Sequence, residues 1–138
     1  MVFLHLAVAH PAGQTEKKVL SLDEGRELVY ALLRPTGCTE RSCRVNAMEN
    51  SYFPRLYFFY ASWPNPTGSP HIGSYAVDPA TGDVWDADAC TEYRGGPLAI
   101  QTRLQRELGL TKRAHAALKQ RPPMCESSRR VRVSKVKK

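Results

Sequence analysis

Tyr75-Ala76-Val77-Asp78-Pro79-Ala80-Thr81-Gly82-Asp83-Val84-Trp85-Asp86 decides the fold. Tyr75 and Val77 alternate with Ser74, Ala76 and Asp78, and Val84 and Trp85 resume β-prone character after the turn. Between them, Asp78, Pro79, Gly82 and Asp83 supply turn chemistry: carboxylates that bond nearby backbone, a fixed φ, and a residue free to take positive φ. The stretch therefore reads as a half-buried antiparallel β-hairpin.

Working outward, Arg55-Leu56-Tyr57-Phe58-Phe59-Tyr60-Ala61-Ser62-Trp63 is aromatic on both faces, which places it centrally in a sheet. Trp63-Pro64-Asn65-Pro66-Thr67-Gly68-Ser69-Pro70 then reads as a stiff, exposed connection. Upstream, Ser21 followed by Glu24 is a capping-box pattern, and Leu22, Leu28, Val29, Leu32 and Leu33 fall mostly on one helical face. Pro35 stops that helix near Arg34, and a loop without strand character is expected until about Tyr52. Downstream, Ile100, Leu104 and Leu108 mark a helix from about Pro97, with Gly109 closing it. Thr111 can cap a shorter third helix to about Gln120, in which Ala114, Ala117 and Leu118 face the core. The order predicts an α+β domain: an antiparallel sheet of about three to four strands on an N-terminal helix, followed by one or two C-terminal helices.

The chain of 138 residues, 42% hydrophobic and 24% charged, suits one globular domain. Its charge of +7 is concentrated at the end, where Glu126 to Lys138 carry six basic residues and one acidic one. Residues 1–20 are read as a signal-peptide remnant and flexible N-terminus, because Ala7-Val8-Ala9 closes an apolar run in the manner of a cleavage site. Residues 21–125 are expected to form the domain, and 126–138 a basic, disordered tail that solubilises or anchors. Export is thus expected, to the periplasm or beyond. The four cysteines, Cys38, Cys43, Cys90 and Cys125, suit disulfides, and Cys38–Cys43 with Cys90–Cys125 is the simplest of three pairings. A zinc site and buried free thiols are the alternatives, and the isolation of Cys90 and Cys125 speaks against the metal.

No phosphate loop, metal-ligand spacing or complete catalytic set appears, so neither cofactor nor metal is expected. The hairpin Tyr75–Asp86, with its Thr81-Gly82 turn and following Trp85, resembles that of PepSY-like and cystatin/NTF2-like domains of exported bacterial proteins. That resemblance implies a small non-catalytic module that binds or inhibits another protein, as NTF2-fold immunity proteins do. The expected binding residues are the rings of Tyr57, Phe59, Trp63, Tyr75 and Trp85, facing a protein or a small apolar ligand. An enzyme alternative rests on Ser69-Pro70-His71-Ile72-Gly73-Ser74-Tyr75, which is similar to the histidine strand of NlpC/P60-type peptidases. It requires a free cysteine sulfur beside His71. Asp83, Asp86 and Asp88 read as a solvated sheet edge, with paired acid/base carboxylates as the rival. The tail lacks aromatics for stacking, so nucleic acid is not the expected partner beyond weak, sequence-blind attraction.

Overall fold

Ser21 starts the first helix, α1 (Leu22–Leu33), by a reciprocal pair of hydrogen bonds: Glu24 N–H donates to Ser21 Oγ (3.2 Å) and Ser21 N–H to the Glu24 carboxylate (2.8 Å). These contacts come from a computed structural model, which describes residues 18–49, 52–65, 67–93 and 99–120. The expected signal remnant up to residue 17, Cys125 and the basic tail lie outside the described residues. After α1, Pro35 confines the chain to a 3-10 turn, Arg34–Thr36, and Gly37 at φ 87° reverses it.

The sheet has five antiparallel strands in sequence order: β1 (Arg44–Met48), β2 (Tyr57–Ser62), β3 (His71–Val77), β4 (Val84–Asp86) and β5 (Thr91–Tyr93). This is the α+β arrangement expected, with a larger sheet. The loop expected up to Tyr52 instead contains β1. Only Val45 of its five residues is buried, so the segment carries no period-2 signature. As an edge strand, β1 is also guarded: Val45 N–H donates to Tyr30 Oη (3.2 Å), and Arg26 Nε donates to Val45 O (3.1 Å).

Paired residues share a face of the sheet. Val45, Ala61, Phe59, Tyr75, Val77 and Val84 meet Leu28, Val29, Leu32 and Leu33 of α1 in the main core. Each fully buried aliphatic or aromatic side chain there contributes about 2 to 3 kcal/mol. Gly25 lets the helix approach, since a Cβ would stand 3.1 Å from the Tyr57 ring and 3.3 Å from Phe59. Leu22, expected on the apolar face, is 40% exposed. On the opposite face, Phe58, Ala76 and Trp85 pack with Leu56 in a second, smaller cluster.

The two C-terminal helices, α2 (Ala99–Glu107) and α3 (Lys112–Leu118), clamp the hairpin turn. Asp78 N–H donates to Asp83 O (2.9 Å), Ala80 N–H to Asp78 Oδ1 (2.8 Å), and Gly82 adopts φ 72°. From α2, Gln101 Nε2 donates to Gly82 O (2.7 Å) and Gln105 Nε2 to Thr81 O (2.9 Å), while Leu104 and Leu108 fill the core. The short α3 docks by polar contacts, contrary to its expected apolar lean: His115 Nε2 lies 2.8 Å from Asp83 Oδ1 and Lys119 Nζ 2.6 Å from Glu92, while Leu118 is half exposed. Among the described residues no helix is long and apolar enough to cross a membrane.

Candidate binding surface at one end of the sheet

Arg44 pairs with Ser62, so the chain entering β1 and the chain leaving β2 emerge side by side at one end of the sheet. The entering loop is braced by a Cys38–Cys43 disulfide spanning 5.3 Å between Cα atoms, its cysteines buried in the main core. Hydrogen bonds complete the brace: Ser42 Oγ donates to Gly37 O (2.6 Å), Thr39 N–H to Ser42 Oγ (2.9 Å), and Cys43 N–H to Thr39 O (3.0 Å). The leaving loop is closed at its base by Trp63 N–H donating to Pro70 O (2.8 Å). Proline at positions 64 and 70 restricts its backbone further.

Between the two loops lies an open groove of about 720 Å³, with Arg41 and Ser42 on one wall and Trp63 to Asn65 and Thr67 to Ser69 on the other. Among the described residues, Arg41 is the one charged residue lining it, and no carboxylate does so. Gly68 is open to solvent, with no atom within 4 Å of where its Cβ would stand.

Beside the groove, a register shift re-aims His71. Ala61 pairs with Gly73 but Ser62 pairs with His71, so Ile72 is the extra residue of a bulge. Position 71 has the parity of Gly73, Tyr75 and Val77, which face α1; the bulge turns it to the other face, where it stacks on Tyr60 at 5.1 Å. His71 Nε2 lies 3.0 Å from Asp88 Oδ2, which also accepts from Ser74 N–H at 3.0 Å. Asp86 Oδ1 accepts from the Asp88 and Ala89 N–H groups, fixing the turn that carries Asp88.

Placement of the expected site residues corrects the aromatic-face reading. Phe59 and Trp85 are fully buried and Tyr75 is 4% exposed, so these rings present no surface to a ligand. They also lie on both sides of the sheet: Tyr57, Phe59 and Tyr75 under α1, Trp85 opposite. Tyr57 is half-buried, its hydroxyl donating to Leu20 O at 2.9 Å. Trp63 alone of the five borders the groove. Arg41, Asn65 and Gly68 were not singled out by the sequence, because only the pairing of β1 with β2 brings their loops together.

The carboxylates are corrected as well. Asp83 is 3% exposed and bonded to Thr81 and His115, so it is no edge residue, and Asp86 and Asp88 hold a turn. Asp78 is equally buried, its Oδ2 unpartnered, and burial with the nearby Asp83 pushes its carboxyl up. Trp85 Nε1 is the other buried polar atom without a partner among the described residues. Burial raises Tyr93, aided by Asp86, and raises Tyr75 to about 12, aided by Tyr93, Asp86 and Asp88.

The thiol-hydrolase alternative loses its nucleophile: Cys38 and Cys43 are bonded to each other, Cys90 is disulfide-bonded too, and no described cysteine is free. Cys125, the expected mate of Cys90, lies outside the described residues. Among the described residues no group of three or more His, Cys, Asp or Glu side chains is arranged to hold a metal ion.

With this geometry in hand, comparison with known proteins yields a likeness of fold. No protein-family model and no curated protein matches the chain. The structure is similar to a chain in a type VI secretion system effector-immunity complex from Pseudomonas protegens, with a TM-score of 0.56 and 16% sequence identity. The match covers 72% of this chain and 85% of the other.

Proposed function

We propose that this protein is a small exported module that binds another protein and acts as its inhibitor, presenting the two loops at the Arg44/Ser62 end of the sheet. The observation that carries this reading is the groove between a disulfide-braced loop and a proline-restricted one. Loops fixed before encounter lose little conformational entropy on binding, which is how a small surface gains affinity. The likeness to a chain from an effector-immunity complex supports a role in binding another protein. The resemblance of the Tyr75–Asp86 hairpin to PepSY-like and cystatin/NTF2-like modules agrees with it. Export accords with the disulfides, which persist in oxidising compartments. A protein suits the groove better than a small apolar ligand, because Arg41, Ser42, Asn65, Thr67 and Ser69 mix polar groups with the apolar Trp63 and Pro64 in its lining.

The test is to mix the oxidised chain with a panel of purified type VI effector toxin domains and to follow complex formation by size-exclusion chromatography with light scattering. Growth of cells expressing each toxin is scored in parallel, with this chain directed either to the periplasm or to the cytoplasm. A 1:1 complex accompanied by growth protection is the expected result. Absence of both across the panel, with the chain folded, overturns the reading.

A further inference from the structure

We infer that the groove is a receptor for an acidic segment of a protein partner, with Arg41 as its anchoring cation; this deepens the reading above and rests on it. Arg41 is exposed, lines the groove and forms no ion pair among the described residues, and Arg44, also exposed and without an ion pair there, stands at the adjoining end of β1. The carboxylate nearest in sequence, Glu40, is exposed but outside the lining. An incoming Asp or Glu thus meets a guanidinium whose planar fork matches a carboxylate, with no carboxylate among the described lining residues to compete for it.

The remaining lining suits peptide. Ser42, Asn65, Thr67 and Ser69 offer side-chain hydrogen-bonding groups, and the half-buried Trp63 ring gives a flat apolar wall for a neighbouring side chain. A volume of about 720 Å³ is in the range that encloses a few side chains. Nucleic acid fits less well, because affinity for a polyanion comes from many cations releasing many counterions, and the described residues of the groove supply one.

Gly68 provides a clean test. Its surroundings are empty and its φ lies outside the left-handed region, so a large side chain there fills the groove without disturbing the protein's own packing. The full oxidised chain, labelled with 15N, is titrated with a capped Asp/Glu-rich hexapeptide containing one Leu, and separately with its Lys-substituted counterpart and a single-stranded oligonucleotide. The expected result is shifts from the acidic peptide alone, centred on Arg41, Ser42, the Trp63 indole and Thr67 to Ser69. Gly68→Trp and Arg41→Glu should each weaken binding about 10-fold, with unchanged circular dichroism and midpoint of thermal unfolding. Shifts confined to the basic tail, affinity in both variants equal to that of the wild type, or tighter binding of the oligonucleotide in the groove overturns the inference. If an effector domain binds wild type and Gly68→Trp alike, the groove assignment falls while the inhibitor reading stands.

Discussion

Two buried residues show how single side chains set the limits of this fold. Tyr75 holds its phenolic proton to about 12, against 10.0 for a free tyrosine, chiefly because burial disfavours the phenolate and secondarily because Tyr93, Asp86 and Asp88 add negative charge nearby. The folded state binds this proton more tightly than the unfolded state does. Its contribution is therefore whole below pH 10.0 and is lost as pH rises toward about 12. Up to about 3 kcal/mol is at stake. Urea denaturation of the oxidised protein at intervals across that window should show a fall in stability that Tyr75→Phe largely removes; an identical fall in the variant would place the titration elsewhere. Gly25 sets a steric limit. Gly25→Val should cost about 2 to 3 kcal/mol by pushing α1 off Tyr57 and Phe59. Gly25→Ala should come closer to neutral, because better helix propensity offsets part of a milder clash by about 1 kcal/mol. Thermal unfolding of the two variants side by side checks the order.

At the scale of elements, the C-terminal helices are held to the hairpin turn by polar bonds to buried groups, which are costly to leave unmade. Removing the imidazole in His115→Ala leaves the Asp83 carboxylate, 3% exposed, with Thr81 as its remaining side-chain partner. The expected cost is about 2 kcal/mol by urea denaturation. Adding Asp83→Asn should restore part of it, since the double variant no longer buries an unpaired charge. A double variant as unstable as the sum of the singles would show that His115 acts by packing alone. What was legible in the sequence follows from the same contrast between local and long-range causes. The capping box of α1, the Gly109 C-cap, the Thr111 N-cap and the Asp78 turn act within a few residues, so their signals survive in one dimension. Strand β1 was illegible because its burial is supplied by α1 and β2 on one residue only, and β5 because it is three residues long. The burial of the aromatic side chains is not legible either: alternation tells which residues share a face, but it does not say that both faces are covered. His71 resisted parity altogether, since its orientation depends on a bulge that no local residue announces.

For the whole molecule, the five-stranded sheet carries at its Arg44/Ser62 end a loop braced by the Cys38–Cys43 bridge. Closing a loop of about six residues contributes about 2 kcal/mol in the chain-entropy account. Cys38→Ala with Cys43→Ala removes that and some sulfur packing as well, because both cysteines sit in the main core beside Val45 and Ala61. The location of the loss distinguishes two roles for the bridge. If it shapes the groove, hydrogen exchange should accelerate at the amides of Thr39, Ser42 and Cys43, whose protecting bonds lie within the bridged loop. Amides of β2 facing β3 should then exchange as before at a temperature where the variant is still folded. Binding at the groove should fall about 10-fold under the same conditions, because the Arg41 wall must be ordered anew at each encounter. Equal acceleration through β2 and β3 would instead make the bridge a brace for the entire sheet, and the loss of affinity would then track global unfolding. Chemical reduction of the wild-type protein breaks the Cys90 disulfide as well, so the double substitution, which spares it, is the variant that isolates the seven-residue turn from Gly37 to Cys43.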